Sequence, residues 1–174
     1  MSGDVQCILA VAPLSRGFGV FVCEISGKPI DWFVREVREI ARHKNARCQV
    51  ELDRLIQDHR PSVLVLEDHR AAGSKKRARI KRLLDLFAEH AEDAGMPVAK
   101  YGPYEIRVAL GLPKNANKIE VANVVARRVP ALKQRLPQEQ PIWAHEDYGM
   151  PIFVAAGLTL AHLASRASSS APFD

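Results

Sequence analysis

"LAVAPLSRGFGVFV", residues 9–22, decides how the chain folds. An apolar run reaches Pro13, a turn follows at Ser15-Arg16-Gly17, and a second apolar run begins at Phe18. The first run belongs to QCILAVA (6–12), which shows no polar alternation. That is the pattern of a central strand buried on both faces. Gly17 and Gly19 mark a turn and a close approach of backbone. A second strand is therefore expected over 18–25. A third, over 29–35, follows the turn Ser26-Gly27-Lys28-Pro29 and completes a meander.

Outward from this stretch the pattern changes period. Leu52, Leu55, Ile56 and His59 share one face of a helix, with Asn45 as its expected cap. Pro61 ends it, and SVLVLED (62–68) is the clearest strand in the chain. A polar loop containing Gly73 leads to a long helix over 75–94, striped by Ile80, Leu83, Leu84, Phe87 and Ala91 and closed by Gly95. PVAKY (97–101) predicts another strand, and shorter helices follow over 103–110 and 118–129. Asn117 with Glu120 three residues later fits a capping box. A Pro-broken loop, 130–145, leads to a final helix from Pro151, a favoured first helical position. That helix is apolar on most sides and is expected to be buried. SRASSSAPFD (165–174) reads as a disordered tail, leaving residues 1–164 as one domain. Three strands, then helix, strand, helix, strand and helices predict an α/β fold. Its sheet is mixed, an antiparallel meander plus parallel strands, with helices on both faces.

A chain of 174 residues can bury a real core. Its 47% hydrophobic and 26% charged content is that of a soluble globular protein rather than a disordered or membrane one. A net charge of +5 and a pI of about 9.3 favour a polyanionic partner, nucleic acid first. Cys7, Cys23 and Cys48 are odd in number and form no C-x-x-C, so reduced structural thiols are expected rather than a disulfide framework or zinc site. No apolar run reaches about 18 residues, and no charged n-region precedes a cleavage site, so a cytoplasmic location is expected.

Four strings, in order, carry a resemblance. They are ILAVAPLSRGFGVFV, PSVLVLED, GLPKNANKIEVANVV and IFVAAGLTLAHL. Together they resemble the RuvC group of Holliday-junction resolvases, within the ribonuclease H-like fold, over about residues 6–164. The resemblance implies phosphodiester hydrolysis with Mg²⁺ or Mn²⁺. Two such ions activate the attacking water and stabilise the leaving oxygen. Hard cations of this kind take carboxylate oxygens as ligands. The resemblance places one carboxylate on the first strand, one at the end of the fourth strand and one in the first turn of the last helix. It also brings Lys118 near the site, and it implies a homodimer acting on two strands.

At two of those three places the chain departs from the pattern. Ala12 stands at the first-strand position and Val154 in the last helix, where aspartates are expected. Only Glu67, with Asp68 beside it, remains, so Glu67 and Lys118 are the candidate catalytic residues. Glu146 and Asp147, just before the last helix, are the candidates to rebuild a metal site with Glu67. Alternatively, they simply favour a helix N-terminus by their charge. His145 and His162 lack metal-ligand spacing and read as structural or solvent-facing. Ser15 has no evident base, which argues against nucleophilic catalysis.

HRAAGSKKRARIKR (69–82) concentrates positive charge. On the expected helix, Lys75, Arg79 and Arg82 fall opposite the apolar stripe. Cations at a helix N-terminus oppose the dipole, an arrangement that makes sense if phosphate sits there. The alternative is a solvated charged face. The candidate nucleic-acid contacts are Ser15, Arg16, Arg70, Lys75, Lys76, Arg77, Arg79, Arg82 and Lys118. Tyr101, Tyr104 and Trp143 are too scattered to form a base-stacking signature.

Three functions follow. The preferred one is a resolvase-like protein that recognises branched or duplex DNA with a degenerate metal site. The second is an active Mg²⁺-dependent structure-selective endonuclease with a rearranged carboxylate set. The third is a structural subunit that uses the fold for protein contacts.

Overall fold

The computed structural model describes residues 5–136 and 149–170. Its elements are β1 (Cys7–Leu14), β2 (Gly17–Glu24), β3 (Pro29–Glu36), α1 (Ala41–His59), β4 (Val63–Glu67), α2 (Ala78–Asp93), β5 (Val98–Tyr101), α3 (Pro103–Ala109), α4 (Lys118–Arg128), a 3-10 turn at Pro130–Arg135, and α5 (Met150–Ser169). One sheet runs in the order β3-β2-β1-β4-β5. The β1–β2 and β2–β3 pairs are antiparallel, and the β1–β4 and β4–β5 pairs are parallel. This is the mixed sheet the sequence predicts.

Alternation along the two central strands divides the core. Ile8, Ala10, Ala12, Val63 and Val65 face one side, where they meet α3, α4 and α5. Leu9, Val11, Leu64 and Leu66 face the other, against α1 and α2. Successive side chains of a strand point to opposite faces, so both faces of β1 and β4 must be apolar, and both sequences are. Phe18 and Phe87 meet edge-to-face under α2, with ring centroids 5.6 Å apart. The final helix α5 is long and apolar enough, by length and composition, to cross a membrane. Here Ile152, Phe153, Ala155, Ala156 and Leu158 are buried in the core instead.

Gly17 and Gly19 hold the hairpin tight. Gly17 has φ +132°, and a Cβ there would lie 1.9 Å from the Arg35 carbonyl oxygen. Gly19 pairs with Ala12, and a Cβ on it would lie 2.5 Å from the backbone of Pro151. The first turn of α5 therefore seats directly on β2 because position 19 has no side chain.

Three boundaries differ from the sequence reading by three residues or more. Helix α1 begins at Ala41, with no side-chain cap at Ile40. Asn45 lies inside the helix, and its side chain is bonded to Arg79 instead. Helix α2 begins at Ala78 rather than residue 75, and Arg77 precedes it in extended conformation. Lys75 therefore lies outside the helix, and the stripe of Lys75, Arg79 and Arg82 does not exist as one helical face. The physical reason is twofold: no side chain caps this N-terminus, and Lys76 is held by an ion pair elsewhere. Helix α5 continues to Ser169, into the stretch expected to be a tail. There Ser168 and Ser169 bond back to the carbonyls of Ala164 and Ser165. The capping box at Asn117 forms as expected: Glu120 N–H donates to Asn117 Oδ1 at 2.8 Å, and Asn117 N–H to Glu120 Oε2 at 2.6 Å. All three cysteines are buried free thiols, and burial pushes Cys23 up to about 12.

Candidate nucleic-acid interface

Parallel pairing of Ile8 with Val63 and of Ala10 with Val65 brings β1 and β4 out at the same end of the sheet. Ala12 shares the face of Ala10, and Glu67 the face of Val65. That face is the one α5 covers. Ala12, Glu67 and Val154 accordingly line one cleft of about 1150 Å³. The three positions singled out from sequence are thus brought together. Lys118, from the start of α4, lines the same cleft, as do Ser15, Arg16, Lys75, Lys76, Arg77 and Arg79. Arg70 and Arg82 are not part of its lining. Glu146 and Asp147, with Trp143 and His145, lie outside the described residues.

Charge in the cleft is one-sided. Among the described residues, Arg16, Lys44, Lys75, Lys76, Arg77, Arg79, Arg107 and Lys118 line it against a single carboxylate, Glu67. Low-dielectric walls lined by one sign of charge focus the field and draw in the opposite charge. Glu67 is buried, at 7% exposure, and Lys76 Nζ sits 2.8 Å from its Oε2. A desolvated carboxylate needs such a partner, because burial without one is costly.

Two of the arginines are committed to the scaffold. Arg79 donates from Nη1 to Asn45 Oδ1 at 2.9 Å, and from Nη2 to the carbonyls of Leu14 and Ser15 at 3.1 and 3.3 Å. Lys44 Nζ donates to the same Ser15 carbonyl at 3.2 Å. The β1–β2 turn is thereby fastened to α1 and α2. Arg107 donates from Nε to Ala116 O at 2.7 Å and from Nη1 to Pro103 O at 2.9 Å, tying α3 to the loop before α4. Because Arg79 satisfies three acceptors at once, Arg79→Met should lower stability by about 1–3 kcal/mol. Urea unfolding of both proteins checks this, and an unchanged midpoint would show that the clamp carries no stability.

Outside the cleft, Arg70 Nη2 lies 3.4 Å from Asp85, whose other close partner is His69 Nε2 at 2.8 Å. The His69 hydrogen bond chiefly holds the Asp85 carboxyl below its usual range. Tyr101 and His162 are hydrogen-bonded at 2.8 Å between β5 and α5. Burial lowers the His162 pKa, consistent with its reading as a structural histidine. Sequence reasoning missed Lys44 and Arg107 as cleft residues. Each is a cation on a helix, and only tertiary packing reveals which way it faces.

The chain shares its fold with solved RuvC structures. The RuvC of Thermus thermophilus superposes with a TM-score of 0.69 at 22% identity, covering 97% of this chain and 100% of that one. T. thermophilus RuvC in complex with a Holliday junction substrate gives 0.68 at 21% identity, covering 97% and 99%. The yeast mitochondrial Holliday junction resolvase gives 0.55 at 12% identity, covering 93% and 81%. No family model and no curated protein sequence matches the chain.

Proposed function

We propose that the protein binds branched or duplex DNA through this cleft, as a resolvase-like protein whose metal site is degenerate. The carrying observation is the cleft itself: among the described residues, eight cations line it with a single carboxylate, which a lysine already occupies. A similarly folded protein has been solved with a Holliday junction, which favours DNA as the polyanion. Phosphates recruit such a surface through Lys and Arg and release counterions on binding.

A divalent ion does not fit the donor set that the described residues offer. Ala12 and Val154 offer no ligand atoms. Among the described residues, no group of three or more His, Cys, Asp or Glu is placed to hold a metal. Resolution of a junction requires two symmetric incisions, and a homodimer would present two such clefts to its arms. The test is a panel of four-way junctions, flaps, duplex and RNA–DNA hybrid, assayed for binding across a salt series and for cleavage with Mg²⁺ and Mn²⁺. Binding that falls steeply with salt, without cleavage, is expected. Metal-dependent cleavage would overturn the degenerate site, and the absence of binding would overturn the nucleic-acid reading.

A further inference from the structure

We propose that the Lys76 ammonium, seated on the buried Glu67 carboxylate, is a built-in cation that excludes divalent ions from Glu67 and anchors a phosphodiester oxygen in their place. The phosphate half of this proposal rests on the nucleic-acid reading above; the exclusion half does not.

Three observations carry it. First, Lys76 comes from the non-helical residues before α2, not from the helix. It reaches the end of β4 because the chain there is not wound into a first helical turn. Second, Lys76 Nζ lies 2.8 Å from Glu67 Oε2, and it is the only ion-pair partner of Glu67 among the described residues. Third, the pair faces the cleft: Glu67 is 7% exposed at the base, and Lys76 is 30% exposed above it.

The chemistry follows from the two groups. An ammonium has three N–H donors and no vacant coordination site. One donor directed at Glu67 leaves two for an anion in the cleft. The pair is neutral as a unit, so Glu67 no longer repels phosphate. A divalent ion at Glu67 would have to displace Lys76, and with Ala12 and Val154 nearby it would gain a single carboxylate from the described residues in exchange. Such an ammonium holds phosphate but does not acidify a water as a bound metal does.

The experiment compares the parent, Lys76→Met, Lys76→Arg, the double variant Ala12→Asp with Val154→Asp, and that double variant with Lys76→Met added. Thermal melts across a Mn²⁺ titration test exclusion. Ligand bound only by the folded state raises stability with its concentration. The triple variant should therefore gain about 5–10 °C at a hundredfold excess of Mn²⁺ over its Kd. The parent should not respond, and the double variant, with Lys76 still seated, should respond far less. Equal responses in double and triple variants would overturn the exclusion.

Fluorescence anisotropy on labelled duplex and junction, in EDTA and in Mg²⁺ at matched ionic strength, tests the anchor. Parent affinity should be the same in both. Lys76→Met should weaken it about fivefold near 0.15 M salt and flatten the log–log salt slope by about 0.9. Lys76→Arg should retain binding. Parent binding that is lost in EDTA, or binding that is indifferent to Lys76→Met, would overturn the anchor. A parent that binds no DNA would overturn both the anchor and the nucleic-acid reading, while the Mn²⁺ melts would still decide whether Lys76 holds the cation position. If the triple variant does not fold, Mn²⁺ melts of Ala12→Asp with and without Lys76→Met decide the exclusion: a larger response with Lys76→Met supports it, and matching traces overturn it.

Discussion

Replacing Arg16, Lys75 and Arg77 together with glutamine should weaken DNA binding on the order of 100-fold near 0.15 M salt, and should flatten the log–log salt slope by about 2.7. All three are exposed and line the cleft. None makes a side-chain hydrogen bond or ion pair among the described residues, unlike Arg79 and Arg107. The loss should therefore appear in binding and not in stability, since surface changes away from such contacts usually stay within about 0.5 kcal/mol. Arg70 and Arg82 provide the control. They belong to the same basic run but lie outside the cleft lining, so their neutralisation should leave the slope unchanged. Anisotropy over a salt series decides between the cleft and the rest of the run. An unaltered slope in the triple variant would place DNA elsewhere on the surface.

Gly19→Ala should have a large effect on the scaffold for a single methyl group beside the site. The new Cβ would stand 2.5 Å from the backbone of Pro151 and 2.6 Å from its Cβ, and backbone cannot rotate aside. Overpacking of a tight site costs about 1–3 kcal/mol, and a rigid obstacle puts this change at the upper end. The Tm should fall by roughly 5–10 °C. Because the displaced segment is the first turn of α5, which carries Val154, the cleft wall should move with it. Calorimetry together with DNA affinity would read both effects. An unchanged Tm would mean that α5 does not seat on β2 as described.

Much of this arrangement is legible in the residues. SVLVLED announces β4 because a strand covered on both faces has no room for polar alternation. The placement of Glu67 at its end follows once the run stops. The glycines of the β1–β2 turn, the Asn117–Glu120 cap and the apolar α5 are equally local signals, and the structure forms all of them. The start of α2 is not legible, because it depends on a contact with Glu67, nine residues away in sequence and on another element. Lys75-Lys76-Arg77 has respectable helix propensity, and nothing nearby says that one of the three leaves to meet a carboxylate. Arg79 shows the same limit. Its charge suggests phosphate, but Leu14, Ser15 and Asn45 claim its guanidinium, and none of them is its neighbour in sequence.

The order of the strands also bears on how the chain folds. The β1–β2–β3 meander is built from tight turns, and hairpins of that kind close in about 1–10 μs. The cleft needs more. It exists only where β1 meets β4, through pairs such as Ile8 with Val63, across the whole of β2, β3 and α1. It also needs α5, from the far end of the chain, to settle on Gly19. Loop-closure entropy must be met before such distant contacts return any stability. The meander can thus act as an early template, whereas the basic cleft and its Lys76–Glu67 pair are assembled last. A chain interrupted after α1 would carry three of the five strands and only the Ala12, Ser15, Arg16 and Lys44 wall of the cleft, without Glu67 or Lys76.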